Sequence, residues 1–242
     1  MEKKLKSWQG WLLFGGTMVV VFVLGMIAAS VNERHAEVSS VMNNKKTEIT
    51  GIEARNDKFE PNYPREYQTW EATADTSFKS LYNGNQAVDV LEARPEMVIL
   101  WAGYAFSKDY STPRGHMYAI EDMRNTLRVG APMTENEGPQ PATCWTCKSP
   151  DVPRMMQAMG VDNFYKGKWA SLGKEIVNPI GCADCHEPEN MNLHISRPAL
   201  IEAFQRQGKD ITKATQQEMR SLVCAQCHVE YYFKGDGKYL SL

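Results

Sequence analysis

Lys3, Lys4 and Lys6 precede an uncharged apolar run from Trp11 to Ala29, which Asn32-Glu33-Arg34 closes. A basic flank before an apolar stretch of this length describes a cleaved signal peptide or a retained membrane anchor, and Ala28-Ala29-Ser30 supplies small residues for cleavage. In both cases the lysines stay inside and the chain beyond is exported, to the periplasm or the outer face of the cytoplasmic membrane. The chain therefore divides into residues 1–30, signal peptide or anchor; 31–60, a polar linker without helical or strand period; and 61–242, the folded part, entered through Pro61 and Pro64.

Beyond the linker the pattern is helical. The segment Met97 to Tyr104 is apolar on all sides, so it is expected to be buried, against protein or against a cofactor face. A helix is expected over His116–Val129, with Ile120, Met123 and Leu127 at spacings of three and four, Arg128 in its last turn, and Gly130 and Pro132 to stop it. Ser149-Pro150 reads as the start of a helix running through Met155-Met156 to Gly160. Ser196-Arg197-Pro198 opens another that ends by Gly208, and Ile211–Val223 forms a third that leads into Cys224. Gly235 and Gly237 mark a turn. With no strand ladder evident, the expected class is mainly α, helices and loops.

Composition narrows the chemistry. The formal charge of -2, from 27 basic and 29 acidic residues, leaves no electrostatic footprint for nucleic acid. All six cysteines fall in C-x-x-C pairs, Cys144/Cys147, Cys182/Cys185 and Cys224/Cys227, which is no disulfide framework. Pairs of this kind serve zinc ribbons as well as c-type haem. The following residue separates the two: His186 and His228 each follow a pair, which five histidines in 242 residues rarely achieve by chance. Three haem attachment sites result, and export suits haems attached beyond the membrane. The macrocycles would supply much of the apolar core.

His186 and His228 are then proximal iron ligands. A haem with histidine on both faces only moves electrons. Among the remaining histidines, His35 lies in the linker, which leaves His116 and His194 as candidate distal ligands. The first motif, Cys144-Trp145-Thr146-Cys147-Lys148, differs: Lys148 stands where histidine belongs. An amine binds iron only when neutral, so burial and the ferric ion must displace a proton whose reference pKa is about 10.4. The residues alone leave two readings, a haem open to substrate on its other face or a degenerate motif. Arg128 alone reads as a cation placed against a helix dipole.

Cys-Trp-Thr-Cys-Lys followed by Ser149-Pro150-Asp151-Val152 resembles the active-site haem segment of the ammonia-forming cytochrome c nitrite reductases, the pentahaem cytochrome c552 family. Supporting stretches follow in the same order: Trp101 to Tyr104, Pro113 to His116, Thr126 to Pro132, Gly181 to His186, and Cys224 to Phe233. The similarity runs from about residue 58 to 239. It implies a multihaem fold packed around covalently attached haems and six-electron reduction of nitrite to ammonium. On this resemblance Lys148 is the proximal ligand of the active-site haem, Arg128 and Tyr231 belong to the substrate site, and His116 is the distal ligand of the His228 haem. Glu230 and the Tyr231 carbonyl would be ligands of a structural calcium. His194 has no counterpart.

Members of that family are about twice as long. The resemblance places a substrate-site histidine, the remaining calcium ligands, the distal ligand of the His186 haem and two further haems, five in all, beyond residue 242. Residues 1–242 alone are therefore expected to be inactive. It also implies a homodimer when complete and electrons from a membrane quinol-oxidising cytochrome. The alternatives are a purely electron-transferring multihaem cytochrome and a zinc-ribbon interaction module.

Overall fold

The structure, a computed structural model, describes residues 7–43, 45–79, 81, 85–102, 110–126 and 140–242. The chain forms two compact units, Met1–Lys46 and Thr47–Leu242. The first is the helix α1, Ser7–Asn43, apolar enough to cross a membrane by length and composition and fully exposed along its described side chains. It continues through residues 31–43, which lack of periodicity had assigned to the linker. No proline occurs before Pro61, and Glu33, Arg34, Ala36 and Glu37 favour helix whatever face they present.

The second unit is a series of short helices and 3-10 turns. Helix α2 (Pro64–Glu71) begins with proline in its first turn; α3 (Val90–Ala93) is capped by Asp89, whose carboxylate accepts from the Leu91 and Glu92 amides. A 3-10 turn, Pro95–Trp101, leaves Val98, Ile99 and Leu100 exposed. Of the two covers expected for this segment, protein or a cofactor face, no described protein element supplies the first for these three side chains.

The helix expected from His116 is a 3-10 turn, His116–Tyr118, leading into α4 (Ala119–Asn125). Residues 127–139 lie outside the description, so the stop signals at Gly130 and Pro132 and the side chains of Leu127 and Arg128 do as well. Helix α5 (Asp151–Met159) ends where expected, at Gly160 with φ 85. It is followed by α6 (Val161–Lys166), α7 (Trp169–Leu172) and the single turn α8 (Cys182–Cys185). Helix α9 (Pro198–Arg206) has proline at its start and Gly208 at φ 71 after its end. The last helix starts later than expected: Ile211–Lys213 is a separate 3-10 turn, and α10 runs Gln216–Ala225. Thr215 and Glu218 cap each other's amides there, which sets the start. Strands β1 (Tyr232–Lys234) and β2 (Tyr239–Ser241) pair antiparallel, Phe233 opposite Leu240, around the turn read from Gly235 and Gly237.

The core gathers Val152, Met155 and Met156 from α5, Phe164 and Tyr165 from α6, Trp169 from α7 and Leu240 from β2 around Trp145. Trp145 stacks on Trp169 with ring centroids 3.4 Å apart and planes 4° from parallel, and its Nε1 donates to the Trp169 carbonyl at 3.0 Å. A side chain at Gly173 would come within 3.2 Å of the Trp145 ring. Since Trp145 lies between Cys144 and Cys147, the centre of the core and the first cysteine motif coincide.

Candidate functional site

Each cysteine pair sits on one helical or 3-10 turn, which turns residues three apart to the same side. In the first motif, Thr146 is fully buried and donates its hydroxyl to the Thr143 carbonyl at 2.7 Å, and Lys148 is half-buried on the turn that follows. The Asp151 carboxylate ties this segment down by accepting from the Val177 and Asn178 amides, both at 2.9 Å.

The second motif is α8. Its entry is held from a distance: Asn56 Oδ1 accepts from the Cys182 amide at 2.9 Å, and Trp70 Nε1 donates to the Ile180 carbonyl at 2.9 Å. Gly181 is required where Asn56 crosses, because a Cβ there would lie 2.0 Å from Asn56 Oδ1. His186 donates Nδ1–H to the Met191 carbonyl at 2.7 Å. That bond fixes the tautomer and leaves the Nε2 lone pair for a metal, the usual arrangement of a ligating histidine. His194 instead donates Nε2–H to the Ala183 carbonyl at 3.2 Å.

The third motif closes α10. The His228 amide donates to the Cys224 carbonyl at 2.8 Å, and across from its ring lies His116, centroid to centroid 6.0 Å. Two imidazoles bonded to one metal at about 2 Å each have centroids roughly that far apart. His116 is placed by pinned neighbours. Arg114 stacks its guanidinium 3.8 Å over the Tyr118 ring and donates to Asp122, while the Tyr118 hydroxyl donates to the Ala74 carbonyl at 2.7 Å. Partial removal from water and then the His228 charge lower the His116 pKa, which favours the neutral ring that metal binding needs.

The three motifs meet. The Cys227 thiol donates to Cys147, which holds the Cys147 thiol below its ordinary value and raises that of Cys227. Burial pushes Cys182 and Cys185 up to about 11. Among the described residues no three His, Cys, Asp or Glu side chains converge as a metal site. Paired sulfurs on single turns, each followed by a candidate ligand, together with the facing His116 and His228, fit haem. The apolar side chains of Val98, Ile99, Leu100, Val229 and Tyr232, exposed on the same unit, offer flat surface that a macrocycle can cover.

The family model for cytochrome c552 matches residues 55–241, which include all six cysteines, Lys148, His186 and His228. The chain belongs to the cytochrome c552 family. It is 98% identical over 241 residues to a cytochrome c-552 of Parabacteroides distasonis, covering 100% of this chain and 49% of that protein. It is 76% identical over 241 residues to one of Bacteroides fragilis, with the same coverage of 100% and 49%. The chain thus spans about half the length of these relatives. A solved cytochrome c nitrite reductase of Desulfovibrio desulfuricans, described as a catalytic subunit with two calcium sites, superposes with a TM-score of 0.69. It is 31% identical over 81% of this chain and 45% of its own.

The structure brings Lys148, His116, His228 and the cysteines into one region. Tyr231 is 55% exposed beside Phe233, centroids 5.7 Å apart, and Glu230 is exposed next to it. Arg128 lies outside the described residues. Sequence reasoning passed over Asp184 and Gln226, which looked like spacers, and Arg197, which looked like the start of a helix. All three are buried. A charged or amide side chain in a motif otherwise of small residues was the available signal.

Proposed function

We propose that this chain carries the substrate-reducing haem segment of a cytochrome c552-family nitrite reductase, in which nitrite is reduced to ammonium. One observation carries the reading: of three C-x-x-C motifs packed together, the one built into the core through Trp145 ends in Lys148, while the other two end in histidine. The nitrite reductase named among the solved structures supports the substrate class. When bound, haem c supplies the iron that takes nitrite at the Lys148 site and the electron relay at the other two.

The roles of the chain's own residues follow. Lys148 would hold the substrate-reducing haem through its side-chain nitrogen. Arg128 draws in the anion and stabilises negative charge as oxygen leaves. Tyr231 donates a hydrogen bond in proton delivery. His186 and His228 would each hold one of the other two haems, and His116 would be a second ligand for the His228 haem. Glu230 and the Tyr231 carbonyl, hard oxygen donors, contribute to a calcium site completed by other ligands. Electrons come from a membrane quinol-oxidising cytochrome, α1 is the signal or anchor of an exported protein, and the complete enzyme is a homodimer.

The test is Lys148→Leu in a chain spanning the relatives' full length. Nitrite turnover is expected to fall at least 100-fold with the His-ligated haems unchanged. Normal turnover with all haems bound would sink the assignment. A second reading, a cytochrome that only transfers electrons, draws on the facing His116 and His228 rings. Bis-histidine spectra at every haem and no nitrite binding would select it.

A further inference from the structure

Arg197 lies in none of the motifs and touches all three, the first two through its side chain and the third through its amide. It precedes α9, and its side chain has no exposed surface. Its Nε donates to the Thr146 carbonyl at 2.6 Å and its Nη2 to the Ser149 carbonyl at 2.9 Å. Those two carbonyls bracket Cys147 and Lys148. Nη2 also pairs with the Asp184 carboxylate between Cys182 and Cys185, and Nη1 donates to Ser196 Oγ at 2.6 Å. Gln226, between Cys224 and Cys227, completes the connection. Its Nε2 donates to the Asp184 carbonyl at 2.7 Å, and its Oε1 accepts from the Ser196 and Arg197 amides at 3.0 and 3.2 Å.

A buried guanidinium is tolerated only when paired and hydrogen-bonded, and here each of its three nitrogens has a partner. Its donors form a rigid planar fork. Spanning Thr146 O and Ser149 O with that fork fixes the curvature of the turn between them, and so the direction in which Lys148 leaves the backbone. Through Asp184 and Gln226 the same group sets the first motif's position relative to the second and third.

We propose that Arg197 is a positioning residue for Lys148, holding the Lys148 turn in register with the Cys182–His186 and Cys224–His228 segments. The inference rests on the nitrite-reducing role of Lys148 proposed above. Arg197→Lys keeps the charge and loses the span, and so discriminates between charge and geometry.

The experiment uses a fully haem-loaded chain of the relatives' whole length, wild type and Arg197→Lys, assayed for nitrite turnover and for the ferric spectrum of each haem class. A misplacement near 1 Å can lower a rate about 100-fold. The expected result is a kcat 10- to 100-fold lower, KM within about twofold, and a changed signature for the Lys-ligated haem only. Unchanged kcat and spectrum, or equal disturbance of every haem, would overturn the role. If Arg197→Lys accumulates without its haems, Ser196→Ala decides. The Ser196 hydroxyl accepts from Arg197 Nη1 and also donates to the Asp184 carbonyl of the second motif at 2.9 Å, so Ser196→Ala loosens both: a change at the Lys-ligated haem larger than at the other two supports the proposal, and a change confined to the other haems, a uniform change or none refutes it. A wild-type protein lacking any Lys-ligated signature would instead count against the function proposed above, which keeps the two failures apart.

Discussion

Replacing Trp145 with alanine tests the coincidence of core and motif. The ring is 1% exposed, lies flat on Trp169 at 3.4 Å, and uses its indole N–H on the Trp169 carbonyl. Truncating a buried tryptophan typically costs 3–5 kcal/mol, and the stacked pair adds roughly 0.5–1.5. Gly173, which lies against the ring, has no side chain to fill the space, and the Arg124 guanidinium 5.9 Å from the ring centroid is a poor substitute for a packed apolar surface. We therefore expect about 4 kcal/mol, a large part of the roughly 5–15 kcal/mol by which domains are stable. Trp145→Phe keeps a ring on Trp169 but strands the carbonyl, for about 1–2 kcal/mol. The assay is denaturant unfolding of the haem-loaded chain, with the ligation spectrum of each haem class followed. Because the haems stay bound through thioethers, Trp145→Ala should show first as loss of the Lys-ligated signature at lower denaturant than the His-ligated ones. Less than about 1 kcal/mol of destabilisation, or first loss of ligation at another motif, would show that the first segment is not anchored through this ring.

Two further outcomes are expected. Gly181→Ala should cost about 1–3 kcal/mol through the overlap with Asn56, since the backbone there, at φ -161, strains no residue. Combined with Asn56→Ser it should cost less than the two changes added, and strict additivity in denaturation would exclude the contact. For His116, the folded pKa lies below the ordinary 6.5, so the unfolded chain binds more protons between the two values. Stability present above about 6.5 is then lost as pH falls through that window. His116→Leu should flatten this dependence in unfolding titrations from neutral to mildly acid pH and abolish the bis-histidine spectrum of one haem. Retention of both would remove His116 as a ligand.

Helix ends were the most legible feature of the sequence because they depend on single residues. Gly160, Gly208 and Pro198 act as expected since a positive φ or a missing amide is a local property. The start of α10 was equally local: Thr215 and Glu218 form a capping box that periodicity alone overlooked. The extent of α1 was missed for the opposite reason, since a helix without a packed face shows no period. The exposed turn at Val98 to Leu100 shows that apolar composition predicts a need for cover without saying what supplies it.

The positions between the cysteines explain why the site was only partly legible. A C-x-x-C motif fixes the two sulfurs and the ligand, so its x residues are free to carry tertiary information. Here they carry most of it. Trp145 enters the core, Thr146 is fully buried and offers its carbonyl to Arg197, Asp184 pairs with Arg197 from 13 residues away, and Gln226 reaches Asp184 across 42. These separations exceed any local period, so no pattern along the chain could reveal them. The motifs read from sequence define where haem chemistry can occur, and the spacer side chains determine how the three sites stand to one another. Electron transfer depends on that second property, because haems held in separate loops would have no fixed separation. A chain that selects its spacers for tertiary contacts can keep three short, locally unstable turns in one arrangement without long helices to align them.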